Sequence, residues 1–241
     1  MKLFQYWDTG DPPDDVAACI EGFRVMNPDM QHRLFSRDDA AWFIKKHCGP
    51  RELKAFEACA VPAMQADYFR IGALVAKGGV WVDADNVCIS PLREVVEQSG
   101  AALALVASQR LLNTFLICRG PGNPYFRACL ELSTRYIETR TPGSVYDITG
   151  PGALNAVRAA IGPLHDPDPH LALTWDPPLA TYAAQIAKNS GVREALMAMT
   201  RRHLLWIYSW LGAAPLSYKD GPRHWLNWTG SIYEQPPELV M

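Results

Sequence analysis

The segment Gly78-Gly79-Val80-Trp81-Val82-Asp83-Ala84-Asp85 runs uncharged residues directly into two carboxylates one residue apart. Ending a buried strand in two exposed carboxylates is costly unless something uses the charge. Asp-x-Asp at a strand end points both oxygens at one divalent cation. Mg²⁺ and Mn²⁺ favour oxygen donors and take one or two carboxylates plus substrate phosphates. The competing reading is a pair of turn aspartates capping the next segment, since Asp is common in turns. One segment upstream, Asp67 and Arg70 stand three residues apart on one face of an expected helix. As a surface ion pair they are worth a few tenths of a kcal/mol. As functional groups they sit on a helix that leads into the Asp83 strand, beside the cation and within reach of sugar hydroxyls.

The elements that must hold these groups follow from periodicity and from capping residues. Leu3 to Trp7 reads as a strand. Asp11-Pro12-Pro13 opens a helix to about Met26, with Asp as its cap, and Asn27-Pro28 stops it. Gln31 to Phe35 alternates as a second strand, and Ser36 or Asp38 caps a helix through His47. A short helix is expected over Glu52 to Ala60 and a long one over Pro62 to Lys77, closed by Gly78-Gly79. Val80 to Val82, Ala101 to Ala107 and Thr114 to Cys118 read as buried strands. Asn123 to Thr139, Gly152 to Ile161 and Ser190 to Trp210 read as helices. Strands alternating with helices imply a largely parallel sheet covered on both faces. Ligands of such sheets sit beyond the carboxyl ends of the strands, where Asp83 and Asp85 fall.

Composition narrows the function. With 23 Lys plus Arg against 25 Asp plus Glu, the net charge is −2, which argues against a nucleic-acid partner. At 49% hydrophobic and 20% charged residues, the 241-residue chain has a globular rather than a disordered composition. With neither repeats nor a linker-like stretch, one α/β domain is expected over residues 1–241. The six cysteines form no C-x-x-C pair and read as free thiols in a reducing compartment. Asp8 falls too early for the apolar region of a signal peptide. No uncharged apolar run reaches the roughly 18 residues of a membrane span. A cytoplasmic protein is therefore expected. Leu204 to Tyr218, after Arg201-Arg202, reads as a buried helix, or at most as a peripheral contact with the inner membrane face.

Several segments together resemble the DXD-containing glycosyltransferases of family 32. That group includes the fungal initiating mannosyltransferase and bacterial capsule and lipopolysaccharide transferases, with the large clostridial glucosylating toxins as distant relatives. The resemblance rests on Ala66-Asp67-Tyr68-Phe69-Arg70-Ile71, on Lys77 to Asp85, and on Pro91-Leu92. It also rests on Asn113 to Ile117 with Pro121-Gly122-Asn123-Pro124, and on Thr149-Gly150-Pro151. Lys2 to Trp7 takes the place of the family's opening strand, with Gln5 retained. The likeness covers residues 1 to about 160 and implies a GT-A-type fold, a mixed Rossmann-like sheet flanked by helices. Residues 1–160 would then form the nucleotide-sugar part and residues 161–241 the acceptor side and C-terminal part.

The activity implied is that of a hexosyltransferase using a UDP- or GDP-sugar, Mn²⁺ or Mg²⁺, and a glycan or lipid-linked acceptor, as in polysaccharide biosynthesis, with retention of configuration. By the same resemblance Asp85 binds the metal directly. Asp83 contacts the metal through water, or the ribose and donor sugar, and Asp67 and Arg70 hold that sugar. Gln5, Tyr6, Trp7 and Trp81 lie near the nucleotide, with core packing as the alternative for each aromatic ring. His224, in a C-terminal His-Trp-Leu-Asn-Trp segment, is a further candidate metal ligand, with a surface histidine as the alternative. Asp147 and Asn113 sit in segments able to line the acceptor side, with surface loops as the alternative.

Two other functions fit parts of the pattern. Asp83-Ala84-Asp85-Asn86-Val87 also matches the nucleophile and acid/base signature of haloacid dehalogenase-like phosphatases. That reading needs a later acidic pair, for which Asp166 and Asp168 are the nearest candidates. A non-catalytic sugar-nucleotide-binding module is the third possibility.

Overall fold

The computed structural model describes residues 1–88, 91–99, 102–107, 110–161, 172–174 and 216–234. The helix expected over Ser190 to Trp210, the pair Asp166 and Asp168, and residues 204–215 lie outside them.

Strand β1 (Lys2–Tyr6) is followed by α1 (Asp14–Met26), β2 (Gln31–Phe35), α2 (Arg37–His47) and α3 (Pro50–Glu57). Helix α4 (Pro62–Lys77) then leads into β3 (Gly79–Val82). After α5 (Arg93–Gln98) come the adjoining strands β4 (Ala102–Ala107) and β5 (Arg110–Cys118). Helices α6 (Pro124–Glu138), α7 (Val145–Ile148) and α8 (Pro151–Ile161) precede a short β6 (Ala172–Thr174). The strands make one sheet in the order β2-β1-β3-β5-β4-β6. β5 runs antiparallel to both of its neighbours, and the other pairings are parallel. The sheet is thus mixed and largely parallel, the α/β architecture expected.

Alternation along the strands divides the core between the two faces of the sheet. Leu3, Val80, Val82, Phe115 and Ile117 pack with Phe23 of α1 and Val96 of α5. Phe4, Tyr6, Trp81, Leu116 and Cys118 face the opposite way, onto α2, α3, α4 and α6. Asn27 ties the first layer together. Its side-chain amide donates to the Phe23 carbonyl (2.9 Å), and its oxygen accepts from the Leu92 N–H (2.7 Å).

Several boundaries differ from expectation for local reasons. Asp11 does not cap α1. Pro13 is the N-cap residue and makes no side-chain cap bond, while Asp14 and Asp15 meet the helix dipole in the first turn. Ser36, not Asp38, caps α2, in a capping box with Asp39. Helix α3 starts two residues early, because Pro50 fits the first turn. β5 extends back to Arg110, past the polar Asn113. All six cysteines are free thiols. Among the described residues no helix is long and apolar enough to cross a membrane.

The α4–β3 corner places Asp83, and it depends on Gly78 and Gly79, both at positive φ (60° and 118°). A Cβ at Gly79 would stand 2.8 Å from the Lys2 carbonyl oxygen, where β1 and β3 meet. Strain of this kind costs about 1–3 kcal/mol. Gly79→Ala should therefore lower the melting temperature by roughly 2–12 °C, at about 2–4 °C per kcal/mol for a chain of this size. Calorimetry checks this, and an unchanged melting temperature would contradict the tight β1–β3 contact.

Candidate active site

Helix α4 and strand β3 bring the two acidic motifs together, but in a different manner from a surface ion pair. Arg70 is 3% exposed and Asp67 is 9% exposed. The Arg70 guanidinium lies 3.0 Å from Asp67 Oδ1 and donates to Asp83 Oδ1 at 2.6 Å. It also donates to the Asn113 carbonyl. The Asn113 side-chain amide donates to Asp67 Oδ1 (2.8 Å), so this residue completes the cluster from β5. Asn113, from a segment expected to line the acceptor side, is buried against Asp67 and also lines the cavity described below.

Trp81 is buried on β3, and its indole N–H donates to Asp83 Oδ1 at 2.8 Å. The Arg70 guanidinium stands 5.0 Å from its ring centroid. Burial pushes the Asp67 carboxyl up to about 6, against the opposing pull of Arg70. Burial raises Asp83 above the usual carboxylate range as well, again opposed by Arg70. The turn reading of the two aspartates holds for the backbone alone. The Asp83 carbonyl accepts from the Asn86 N–H (3.1 Å), while its carboxylate is held by Arg70 and Trp81.

Asp85 is met by a segment from the far end of the chain. Tyr218 O–H donates to Asp85 Oδ2 (2.6 Å), and Lys219 Nζ lies 3.2 Å from the same oxygen. Residues 216–234 form a strap pinned at further points. Asp15 accepts from the Ser217 N–H (2.6 Å) and hydroxyl (3.1 Å), and Arg223 pairs with Asp8. Trp7 packs edge-on against Tyr218 at 5.0 Å. The described part of the C-terminal region therefore reaches the second aspartate of the DXD motif. Tyr218, Lys219 and Arg223 escape sequence reasoning. Asp85 and Tyr218 are 133 positions apart, and no spacing rule links them.

A cavity of about 850 Å³ opens over these groups, a size suited to a small organic ligand. Tyr6, Trp7, Asp67, Arg70, Trp81, Asp83, Asp85 and His224 all line it. Gln5 does not. It is 0% exposed, beneath the Asp83 corner, where its amide donates to the Asp83 carbonyl (3.4 Å) and its oxygen pairs with His32 (2.8 Å). Gln5 thus supports the strand end rather than presenting itself to a nucleotide. Tyr6 donates its hydroxyl to Gln65 (2.8 Å). Asp147 is also absent from the lining. Its carboxylate closes a capping box with Ser144 at the start of α7, while Val145 and Tyr146 face the cavity. A Cβ on Gly150 would approach Asp67 Oδ2 to 3.2 Å and the Tyr146 Cα to 2.9 Å, so the Thr-Gly-Pro element packs directly behind the Asp67 cluster.

The two aspartates offer hard oxygen donors at one strand end, which fits Mg²⁺ or Mn²⁺. Among the described residues no three His, Cys, Asp or Glu side chains converge on one point. A divalent ion held by these two carboxylates alone would need phosphate or water oxygens to complete its shell. His224 does not join the aspartates as a third ligand. Tyr218 stands against its ring at 5.6 Å and takes the hydrogen bond to Asp85 itself. The His224 Nδ1 is buried without a hydrogen-bond partner, and burial together with Lys219 favours the neutral ring. The phosphatase reading needs Asp83 as a nucleophile, yet its Oδ1 is engaged by both Arg70 and Trp81.

A family described as "Glycosyltransferase sugar-binding region containing DXD motif" matches residues 13–102, which include Asp67, Arg70, Asp83 and Asp85. The putative glycosyltransferase HOC1 of Saccharomyces cerevisiae is 24% identical over 157 residues, or 57% of this chain and 39% of that protein. The chain thus spans about two-fifths of the length of this curated relative. Among solved structures, the PaToxG glycosyltransferase is similar with a TM-score of 0.49 and 12% identity over 96% of this chain and 84% of that one. The UDP-bound glycosyltransferase domain of the YGT toxin gives 0.47 and 11% over 83% and 88%. Over residues 13–102, the chain is thus similar to the sugar-binding region of glycosyltransferases that carry a DXD motif.

Proposed function

We propose that this chain transfers a hexose from a UDP- or GDP-sugar to a glycan or lipid-linked acceptor in a metal-dependent reaction that retains anomeric configuration. The observation that carries this reading is the coupling of the Asp67–Arg70 pair to the DXD strand, through Asp83, at the floor of the 850 Å³ cavity. A divalent cation on Asp85, with Asp83 close by, would supply Lewis-acid stabilisation of the departing diphosphate. Arg70 fixes Asp67 and Asp83 as oriented acceptors for sugar or ribose hydroxyls, and Trp81 locks the Asp83 rotamer from below. Trp7 and Tyr6 offer aromatic surface at the end of β1 for the base. Asp8, Asp67, Asp83 and Asp85 are each ion-paired to an arginine or lysine, so each of these carboxylates is already engaged. That pairing favours front-face displacement, in which the leaving diphosphate takes the acceptor's proton. The chain acts as one domain in which residues 216–234 reach the donor side through Asp85.

Thermal shift with UDP, GDP and CMP, each with and without Mn²⁺, tests the donor. A ligand at about 100 times its dissociation constant adds roughly 2.7 kcal/mol. The expected result is stabilisation by one nucleoside diphosphate with Mn²⁺ present. Stabilisation by Mg²⁺ and a phosphate mimic alone would instead favour the phosphatase.

A further inference from the structure

Asp85, the aspartate best placed for a cation, already faces one. Lys219 Nζ lies 3.2 Å from Asp85 Oδ2, and Tyr218 O–H donates to the same oxygen at 2.6 Å. A divalent ion bound to that oxygen would have to share its lone pairs with the ammonium and the Tyr218 hydroxyl that already engage them. Repulsion between the two cations in a partly buried site acts in the same direction. The two therefore compete for one carboxylate.

We propose that Lys219 is an exchangeable internal cation. It neutralises Asp85 when no divalent ion is bound, yields that oxygen to the ion, and then turns to the donor's diphosphate. This rests on the glycosyltransferase reading above. Three features make the exchange local. The strap is held independently by Asp15 on Ser217 and by Asp8 on Arg223, on either side of Lys219. Tyr218 is also seated against Trp7. The lysine stem can therefore swing while the strap stays in place. Lys219 lines the cavity, and a flexible four-carbon stem with three rotatable donors lets one ammonium meet either a carboxylate or a phosphate. A diphosphate held at Asp85 would lie within reach of the displaced ammonium.

The test measures Mn²⁺ binding to the nucleotide-free protein by calorimetry, for wild type, Lys219→Met, Lys219→Arg and Asp85→Asn. Lys219→Met should bind Mn²⁺ about tenfold more tightly than wild type, a gain of about 1.4 kcal/mol, because its competitor is gone. Lys219→Arg should stay near wild type. With Mn²⁺ saturating, Lys219→Met should bind UDP or GDP about tenfold more weakly than wild type. Unchanged or weaker Mn²⁺ binding by Lys219→Met overturns the exchange, and an unchanged nucleotide affinity overturns the second half of it. If Asp85→Asn kept wild-type Mn²⁺ affinity, the DXD metal assignment itself would fall, and the exchange with it. Loss of binding in Asp85→Asn with no gain in Lys219→Met would sink the exchange alone.

Discussion

Asp85→Asn should cut donor turnover by about a thousandfold or more while leaving the fold intact. The loss follows from charge. A neutral amide oxygen is a poor partner for a divalent cation, and withdrawing electrostatic stabilisation from a developing anion costs about 10²–10³ in rate for even one donor. The fold is spared because the amide oxygen still accepts from Tyr218, and the ion pair lost with Lys219 is partly exposed. Asp85 also lies outside the buried Asp67–Arg70–Asp83 cluster. Parallel measurement of turnover at saturating Mn²⁺ and of the melting temperature separates the two effects. Turnover near wild type would remove Asp85 from the chemistry. A large drop in melting temperature would make it a structural residue.

Arg70→Met should have the largest effect on stability. Its guanidinium serves Asp67, Asp83 and the Asn113 carbonyl, and its removal leaves the buried Asp67 and half-buried Asp83 carboxylates close together with no cation between them. Breaking a buried pair in this way costs about 3–5 kcal/mol. The melting temperature should fall by roughly 6–20 °C, at about 2–4 °C per kcal/mol for a chain of this length. Arg70→Lys should rescue little, because one ammonium cannot reproduce the planar fork that reaches three acceptors. Adding Asp67→Asn to Arg70→Met should recover part of the loss by removing one of the stranded charges. Calorimetry on the single and double variants reads both expectations. A single variant that melts within about 2 °C of wild type would mean the cluster is solvated rather than buried.

The sequence shows most plainly those features that are set within a few residues. Helix α4 is bounded by Pro62 at its first position and by Gly78 at positive φ, and both ends follow from the residues themselves. The same is true of the Ser36 capping box and of the strand that ends in Asp83. Spacing puts Asp67 and Arg70 on one face, but whether that face is exposed depends on Asn113, 43 residues beyond Arg70. No local pattern encodes that partner, so the surface-pair reading stayed open until the fold closed it. Gln5 shows the same limit. Its place on the first strand is legible, yet only the β1–β3 pairing puts it under the Asp83 carbonyl. The strap is the least legible part. Ser217 to Asp220 is a single short 3-10 turn without apolar periodicity, held by carboxylates from distant elements. Helices α5 and α7, of 6 and 4 residues, are too short to show a period.

The most direct test of the site is anomalous diffraction from crystals grown with Mn²⁺ and the nucleoside diphosphate that stabilises the protein. A manganese peak about 2.0–2.3 Å from an Asp85 carboxylate oxygen is expected, with the diphosphate on its far side. A nucleotide bound elsewhere, or manganese placed away from both Asp83 and Asp85, would contradict the assignment of this cavity as the sugar-nucleotide site.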